Sequence, residues 1–232
     1  MQGRRFGLAI KRLLDLVVSG ILLTLSAPLM LVCAAIIKVD SRGPVFFRQE
    51  RLGLGGRLFR VFKFRTMFMD SAKSDPNVSV SDPRITSVGR VFRKFRMDEW
   101  PQLINVFRGE MSLIGPRPLV PLYAHAWTEE ERNRLNMKPG ISGWQQINGA
   151  ATNTWEERVA LDVWYVEHWS LWLDLKIFLK TPLVVLGAKT VYGRDGHERS
   201  AIPTRVLTGK ARTDSMSNET ASVQRSPRET RL

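Results

Sequence analysis

The chain has 232 residues, of which 44% are hydrophobic and 25% charged, a composition that excludes a disordered or collagen-like protein. The chain has 35 Lys and Arg against 22 Asp and Glu, so its net charge is +13. This charge predicts an anionic partner: nucleic acid, a phosphorylated small molecule or an acidic membrane surface. A single cysteine and three scattered histidines exclude a disulfide framework and argue against a zinc site, so carboxylates would have to bind any metal.

The first predicted element is an uncharged apolar run at residues 16–37. As a helix it would be about 33 Å long, enough to cross the hydrocarbon core of a membrane. Pro28 near its middle favours a bend, and basic residues flank both ends, which the positive-inside rule places in the cytoplasm. A simple span and a re-entrant helix that bends near Pro28 and returns both stay open, and the basic C-terminal flank favours re-entry.

The next segment, residues 42–96, is strongly basic, with thirteen Lys and Arg against four acidic residues. Residues 45–50 and 58–64 have strand character, and three glycines lie between them, which predicts a β-hairpin. The glycines do not form a dinucleotide-binding fingerprint, because a leucine occupies the third glycine position. Residues 70–89 are rich in Ser, Asp and Pro and predict a long loop.

Apolar residues then recur at helical spacing from residue 91 to 107, with Pro101 suited to a first helical turn. Two more helices are predicted at 155–168 and 170–186, and four of the seven tryptophans lie in these helices or at residue 169 between them. These aromatic residues indicate either helices lying in the membrane interface or an aromatic core. Beyond about residue 199 the chain is polar and predicts a disordered tail.

These elements predict an α+β, mostly helical fold with a re-entrant N-terminal membrane helix, a small β-hairpin and interfacial amphipathic helices. We expect residues 1–40 to form the basic N-terminus and membrane helix. Residues 41–193 would then form a cytoplasmic catalytic domain at the membrane interface, followed by a disordered polar tail at 194–232.

The adjacent acids Asp98 and Glu99 are the strongest catalytic candidates, and we expect them at or beside a helix N-terminus. Neighbouring helical residues point about 100° apart, so the two carboxylates would have different roles. One would attack or bind a metal, and the other would orient or move a proton. Arg93 and two further cations precede the pair, and nearby cations would keep an aspartate ionised, as a nucleophile requires. The alternative is a charged patch on the surface of an amphipathic helix.

Three further segments are candidates for substrate binding. In the first, Pro116 and Pro118 would lock the backbone around Arg117, whose planar guanidinium matches phosphate oxygens, although a rigid structural turn has the same pattern. Lys63 and Arg65 form either an anion site or the polar face of a strand. The glycine-punctuated segment 138–149 carries amides fit to bind a polar ring, or it is an ordinary turn cluster; its candidates are Gln146 and Asn148.

The blocks FKFRTM, DPRIT-x-VGR, MDEWPQLINVFRGEMSLIGPRP, KPGISGWQQING and LDLKI, in this order, resemble the bacterial sugar transferases, that is, the monotopic polyprenyl-phosphate phosphoglycosyl transferases. The resemblance extends from about residue 11 to 186. It implies transfer of a sugar-1-phosphate from a UDP-sugar to undecaprenyl phosphate, with release of UMP, at the cytoplasmic face of the bacterial inner membrane.

The resemblance also implies roles for individual residues. Asp98 would be the nucleophile that takes the phosphosugar covalently, with Mg²⁺ close by, and Glu99 would support it. Pro116 and Arg117 would hold the nucleotide donor. The family places Ser-Pro at the break in its re-entrant helix, whereas here Ala27 separates Ser26 from Pro28, which leaves the bend but puts the backbone hydrogen bond of the serine in question.

Two functions from other classes compete with this hypothesis. A membrane-attached nucleic-acid binder would explain the charge but not the Asp98–Glu99 pair, and we expect no nucleic-acid partner. A non-catalytic scaffold of a polysaccharide assembly complex would tolerate Asp98→Asn. The sequence does not indicate which sugar is transferred, in which glycan pathway, or the oligomeric state.

Overall fold

The structure is a computed structural model that describes residues 2–69, 82–121, 124, 127–149 and 153–186. The described residues are mostly helical, with two small two-stranded sheets, which confirms the predicted α+β, mostly helical class. The predicted tail, residues 194–232, and most of the predicted loop at 70–89 lie outside the described residues. In chain order the elements are α1 (Gln2–Asp40), β1 (Phe46–Leu52), β2 (Leu58–Phe64), α2 (Ser87–Lys94), α3 (Gln102–Arg108), β3 (Ser112–Ile114), α4 (Glu129–Arg132), β4 (Gly140–Ser142), α5 (Trp144–Ile147), α6 (Trp155–Glu167) and α7 (Leu171–Leu186).

Helix α1 contains the predicted membrane segment and continues through Pro28 for 39 residues, so the proline does not divide it into two helices. Within the described part of the chain, α1 is the one helix long and apolar enough to cross a membrane. The hydroxyl of Ser26 donates to the carbonyl of Leu23 at 3.4 Å, so the displaced serine still bonds to the backbone. The re-entrant position of α1 in a membrane stays a prediction.

One face of α1 contacts the rest of the protein near both ends of the helix. Close to its start, Lys11 and Asp15 are buried, and Asp15 accepts hydrogen bonds from the hydroxyl of Ser112 at 3.0 Å and the amide of Leu113 at 2.9 Å. Near its end, the buried residues Cys33 and Ile37 form a cluster with Phe64 of β2 and Phe92 of α2. Between these contacts α1 exposes large apolar side chains, among them Leu25 (73%) and Leu31 (72%).

The predicted β-hairpin is confirmed. Strands β1 and β2 pair antiparallel, with Phe46 opposite Phe64 and Leu52 opposite Leu58, and the turn between them includes Gly55 in a left-handed conformation (φ 64°). The alternation of apolar and basic residues in β2 buries Phe59 and Val61 against Val106 of α3, which fixes α3 across the hairpin.

The second sheet was not predicted from the sequence. Strands β3 and β4 are three residues each and pair in parallel, with Ser112 opposite Gly140 and Ile114 opposite Ser142. The amide of Gly115 donates to the carbonyl of Ser142 at 2.9 Å, and a side chain on Gly115 would place its Cβ 2.3 Å from the carbonyl oxygen of Lys138. This glycine is therefore required for the two segments to approach each other so closely.

The two predicted C-terminal helices are confirmed as α6 and α7. Each begins at a residue that caps it: Thr154 and Glu157 form a capping box at the start of α6, and the hydroxyl of Ser170 accepts from the amide of Leu173. Tyr165, Val166 and Ile177 form the centre of the C-terminal core, together with Ile114 of β3. The outer face of α7 exposes apolar side chains, including Trp172 (72%) and Leu183 (72%), and its predicted membrane contact stays a prediction.

Candidate active site

Asp98 and Glu99 lie in a short 3-10 turn, Met97–Glu99, between α2 and α3. The predicted position beside a helix N-terminus is confirmed, because α3 begins three residues after Glu99. Arg96 directly precedes the turn and has a φ of 53°, the one positive φ among the described non-glycine residues. Such a conformation costs about 1–3 kcal/mol and persists where the surrounding structure enforces it, often at functional sites. The local strain thus lies immediately beside the carboxylate pair.

Glu99 is buried, with 9% of its surface exposed, and is surrounded by positive charge. Its carboxylate accepts from the ammonium of Lys63 at 2.8 Å, and the guanidinium groups of Arg117 and Arg96 lie 3.7 and 3.8 Å away. Burial by itself would raise the pKa of Glu99, but these three cations outweigh burial and hold the pKa well below its usual value. Glu99 is therefore a permanently charged anchor for the cations around it.

Asp98 is in a different state, although it is the neighbouring residue. From the described residues its carboxylate receives neither a hydrogen bond nor an ion pair within contact distance, and it is partly exposed. Burial raises the pKa of Asp98 to about 6. The positive charges of Lys63, Arg93 and Arg96 oppose this rise, and the negative charge of Glu99 adds to it. The cations therefore keep Asp98 ionised at neutral pH, as expected, but they do not bring its pKa down to the ordinary range. A carboxylate that is ionised and unpartnered is available as a nucleophile or a metal ligand.

The β-hairpin and α3 together bring Lys63 to Glu99. The side chain of Asn105 on α3 is fully buried and bonds to the edge of β2, accepting from the amide of Phe62 at 2.9 Å and donating to the carbonyl of Arg60 at 2.8 Å. Since Lys63 follows Phe62 in β2, this amide side chain sets its distance from the turn that carries Glu99. Asn105 was not identified from the sequence, because a single buried asparagine has no sequence pattern of its own.

Arg117 is held in place through its backbone as well as through its neighbours Pro116 and Pro118. Its amide donates to the carboxylate of Asp162 at 3.2 Å, and its carbonyl accepts from the guanidinium of Arg134 at 2.9 Å. Pro116 is buried and its carbonyl accepts from the amide of Gly140 at 2.8 Å. The predicted locking of the arginine backbone is therefore present, with hydrogen bonds added to the restriction by the prolines.

An open, shallow cleft adjoins these residues. Lys63, Glu99 and Arg117 line it, together with two residues that were not predicted, Arg51 and Gln102. Gln102 lies in the first turn of α3, three residues after Glu99, a spacing that places residues on the same side of a helix. This spacing was the one available signal for Gln102. The cleft thus combines carboxylate, amide and cationic groups within a basic surface.

Two other predicted binding residues, Arg93 and Arg65, do not line this cleft. Arg93 donates to the hydroxyl of Thr66 at 2.9 Å and is close enough to Asp98 to affect its pKa. Arg65 is buried, and its guanidinium donates to three backbone carbonyls between residues 41 and 44 at 2.7 to 2.8 Å, so it joins the end of α1 to β2. We assign Arg65 to the fold, since each of its three guanidinium nitrogens donates to the main chain.

The two amides of segment 138–149 lie in different environments. Asn148 is exposed and donates to the carbonyl of Trp144 at 2.8 Å. Gln146 is buried, and neither polar atom of its side chain has a partner among the described residues. A buried amide without partners is costly, so a hydrogen-bonding role for Gln146 toward a ligand stays a prediction.

The described residues contain no group of three His, Cys, Asp or Glu side chains that could enclose a metal ion. Magnesium does not need such a group, because it is commonly bound by one or two carboxylates together with substrate phosphates and water. The carboxylate of Asp98 fits that requirement, whereas Lys63 occupies that of Glu99. The donor set therefore fits a magnesium ion held by Asp98 and completed by a phosphorylated substrate.

The model of the family described as bacterial sugar transferase matches residues 6–188. An uncharacterized sugar transferase, EpsL, of Bacillus subtilis is 45% identical over 177 residues, which are 76% of this chain and 87% of the relative. The undecaprenyl-phosphate glucose phosphotransferase of Komagataeibacter xylinus is 46% identical over 74% of this chain, but this chain spans only 35% of that protein.

A third relative is the UDP-glucose:undecaprenyl-phosphate glucose-1-phosphate transferase of Caulobacter vibrioides, 43% identical over 78% of this chain and 72% of the relative. The family model covers α1 from residue 6 onward, both sheets, the turn with Asp98 and Glu99, and α7. The resemblance found in the sequence motifs is thereby confirmed, and the chain belongs to the bacterial sugar transferase family.

Proposed function

We propose that this enzyme transfers a sugar-1-phosphate from a UDP-sugar to undecaprenyl phosphate and releases UMP. One observation carries the proposal: Asp98 is an unpartnered carboxylate beside an anchored one, in a group of cations that outnumber the two acids. The named activities of the relatives from Komagataeibacter xylinus and Caulobacter vibrioides, both undecaprenyl-phosphate glucose transferases, support the acceptor and the reaction class.

The surplus of positive charge fits a pyrophosphate donor. Lys63, Arg96 and Arg117 together exceed the charge of Glu99, with which all three interact. Arginine binds phosphate oxygens with two parallel hydrogen bonds, and both backbone groups of Arg117 are held by hydrogen bonds to buried side chains. We assign Arg117 to the donor phosphates and Lys63 to the same anion site, with Pro116 holding the turn and Arg93 facing Asp98.

In the first step, a carboxylate oxygen of Asp98 attacks the phosphorus that bears the sugar. The bond from this phosphorus to the bridging oxygen breaks, its electron pair leaves with UMP, and an aspartyl-phosphosugar remains. In the second step, a phosphate oxygen of undecaprenyl phosphate attacks the same phosphorus, and the bond to Asp98 breaks to restore the carboxylate. Glu99 keeps the cations in position through both steps. Magnesium bound by Asp98 and the donor phosphates would supply neutralisation of the phosphate charge.

The contacts of α1 support a position on one side of the membrane. Lys11 and Asp15 near its start and Cys33 and Ile37 near its end contact the same domain. A helix that spans a bilayer has its ends on opposite sides, where one domain could not contact both. The arrangement supports re-entry of α1 from one face of the membrane. We propose that this is the cytoplasmic face, as the basic flanks of the helix predict, and that the cleft there receives the lipid phosphate of the acceptor.

UMP release by purified protein tests the reaction. The protein in detergent or nanodiscs is mixed with Mg²⁺, undecaprenyl phosphate and a panel of UDP-sugars, with Asp98→Asn as the matched control. We expect release with one or two of the sugars by the wild type and none by the variant. Release by Asp98→Asn at the wild-type rate would contradict the nucleophile assignment, and silence of the wild type with every sugar would contradict the UDP-sugar donor.

Thiol labelling tests the membrane topology. In a Cys33→Ser background, Gln2→Cys and Arg60→Cys are each labelled in intact cells with an impermeant thiol reagent. Position 60 lies in β2 with an exposed side chain, so it reports the domain side. We expect both positions to resist labelling until the cells are permeabilised. Labelling of position 60 alone in intact cells would indicate that α1 spans the membrane.

A further inference from the structure

A buried ion pair lies directly behind Arg117. Arg134 in the 3-10 turn that follows α4 and Asp162 on α6 are bonded to each other, and their exposed fractions are 4% and 1%. Arg134 also lies against the ring of Trp127, with 5.6 Å between the guanidinium carbon and the ring centroid. The pair is thus enclosed by protein and does not line the cleft that holds Lys63 and Glu99.

Each member of the pair also bonds to the main chain of Arg117. One carboxylate oxygen of Asp162 accepts both from Arg134 and, at 3.2 Å, from the amide of Arg117. One guanidinium nitrogen of Arg134 donates both to that oxygen and, at 2.9 Å, to the carbonyl of Arg117. Both backbone groups of one residue are therefore bonded to one ion pair. The other carboxylate oxygen of Asp162 has no partner among the described residues.

A contribution to stability alone does not explain this ion pair. A buried ion pair usually contributes little to the free energy of unfolding, and well-packed apolar residues of similar volume often replace it without loss. Its geometry, however, fixes the backbone of a residue whose guanidinium lies 3.7 Å from Glu99. Since Pro116 and Pro118 already restrict the neighbouring dihedral angles, the ion pair removes the freedom that the prolines leave.

We propose that Arg134 and Asp162 are positioning residues for the donor site, which hold the backbone of Arg117 so that its guanidinium remains aligned with the donor phosphates. The inference rests on the proposed function of Arg117 as a phosphate ligand. It predicts that the pair affects donor binding only through Arg117, and that it affects neither the acceptor nor the attacking carboxylate.

The test replaces the pair by apolar residues of similar volume, Arg134→Met together with Asp162→Leu, in the full chain. We expect the variant to fold, with a melting temperature within about 5 °C of the wild type. The donor KM should rise about tenfold, while kcat and the KM for undecaprenyl phosphate change less than about threefold, as expected when alignment of a charged hydrogen bond is lost. Titration with UDP as the probe should show the same tenfold loss without turnover.

The decisive comparison repeats the double substitution in an Arg117→Ala background. There the pair has no guanidinium to align, so the donor KM should not change further. A further tenfold rise in that background, or a wild-type donor KM in the folded double variant, would overturn the inference. If the double variant does not fold, Arg134→Lys carries the test, because the shorter side chain does not reach the two oxygens that Nη2 of Arg134 contacts; an unchanged donor KM there overturns the inference as well.

The wild-type control separates this inference from the proposed function. If the wild type releases no UMP with any UDP-sugar, the proposed function fails. If the wild type is active and the variants bind the donor normally, only the role of the ion pair fails.

Discussion

Asp174 and Glu99 each accept from cations or other donors, and only the group around Asp174 is electrically balanced. Asp174 on α7 accepts from Lys11 at 2.7 Å, from the hydroxyl of Tyr165 at 2.5 Å and from the indole of Trp169 at 3.1 Å. Glu99 instead faces three cations, and Asp98 beside it is unpartnered in the described part of the protein. A polar network that is fully bonded makes structure rigid, whereas one with excess charge and an unused carboxylate can bind and react with an anion.

The position of each group agrees with this difference. The Asp174 group connects α1, α6 and α7, and Lys11 also donates to the carbonyl of Ile114 at 2.8 Å, which joins α1 to β3. The Glu99 group lies at an open cleft between the hairpin and α3. The Asp174 group holds three helices together, whereas the Glu99 group lies at a surface that is open to a ligand. Substitutions in the two groups should therefore have opposite effects on stability and activity.

The largest effect is expected for Asp98→Asn. The amide cannot attack phosphorus, so the rate of UMP release should fall at least about a thousandfold. The melting temperature should not fall, since Asp98 makes no hydrogen bond with the described residues. Activity is measured as UMP release and folding by thermal unfolding in detergent. Residual activity near a tenth of the wild type would exclude Asp98 as the nucleophile.

Lys11→Met should reverse this pattern. It removes the cation from a mostly buried pair and should lower the free energy of unfolding by about 3 kcal/mol. The matched control is Arg60→Met, which breaks an exposed pair with Glu50 and should change stability by less than about 1 kcal/mol. Chemical unfolding in detergent measures both. Equal stabilities of the two variants would contradict the anchoring role of the Asp174 group.

The sequence predicted one of these groups and not the other. Asp98 and Glu99 are adjacent and preceded by cations, so a pattern within a few residues identified them. Lys11 and Asp174 are 163 residues apart, and no local pattern predicts that a membrane helix and a C-terminal helix will place them together. The predicted hairpin had the same local advantage, because its glycines lie between two apolar-basic segments.

Arg65 shows the limit of residue type as evidence. In the sequence it is equivalent to Lys63, since the two alternate with phenylalanines at positions 62–65. In the structure Lys63 contacts Glu99, whereas Arg65 donates to backbone carbonyls after α1. Strand alternation would place the two on the same face, but Arg65 lies beyond the end of β2, where the chain leaves the strand. Pairing of β3 with β4 was missed for a related reason, because three-residue strands carry no periodic pattern.

Arg117→Ala should have an intermediate effect, confined to the donor. Loss of a charged hydrogen bond to phosphate should raise the donor KM about thirtyfold and leave the KM for undecaprenyl phosphate unchanged. Arg90→Ala is the matched control, because it removes the same charge from an exposed position on α2. Initial rates of UMP release over a range of UDP-sugar concentrations give both constants. An unchanged donor KM in Arg117→Ala would exclude its role at the donor phosphates.

The smallest effect is the pH dependence of the wild type. Since Asp98 must be deprotonated to attack, and its pKa lies near 6, kcat/KM should rise with pH up to about 7 and then level off. At pH 5 the rate should be about a tenth of the plateau, as expected for one group with that pKa.

Lys63 lowers the pKa of Asp98, so its removal must raise that pKa and move the rising limb to higher pH. Lys63→Met should therefore shift the limb upward, while Arg60→Met, on the opposite face of β2, should leave it in place. The measurement is UMP release between pH 5 and 9 at constant Mg²⁺. Two results would show that Asp98 does not control the rate: a flat wild-type profile below pH 7, or a rise in kcat/KM that occurs at the same pH in Lys63→Met. The groups around Asp174 and Glu99 would then differ in structure but not in function.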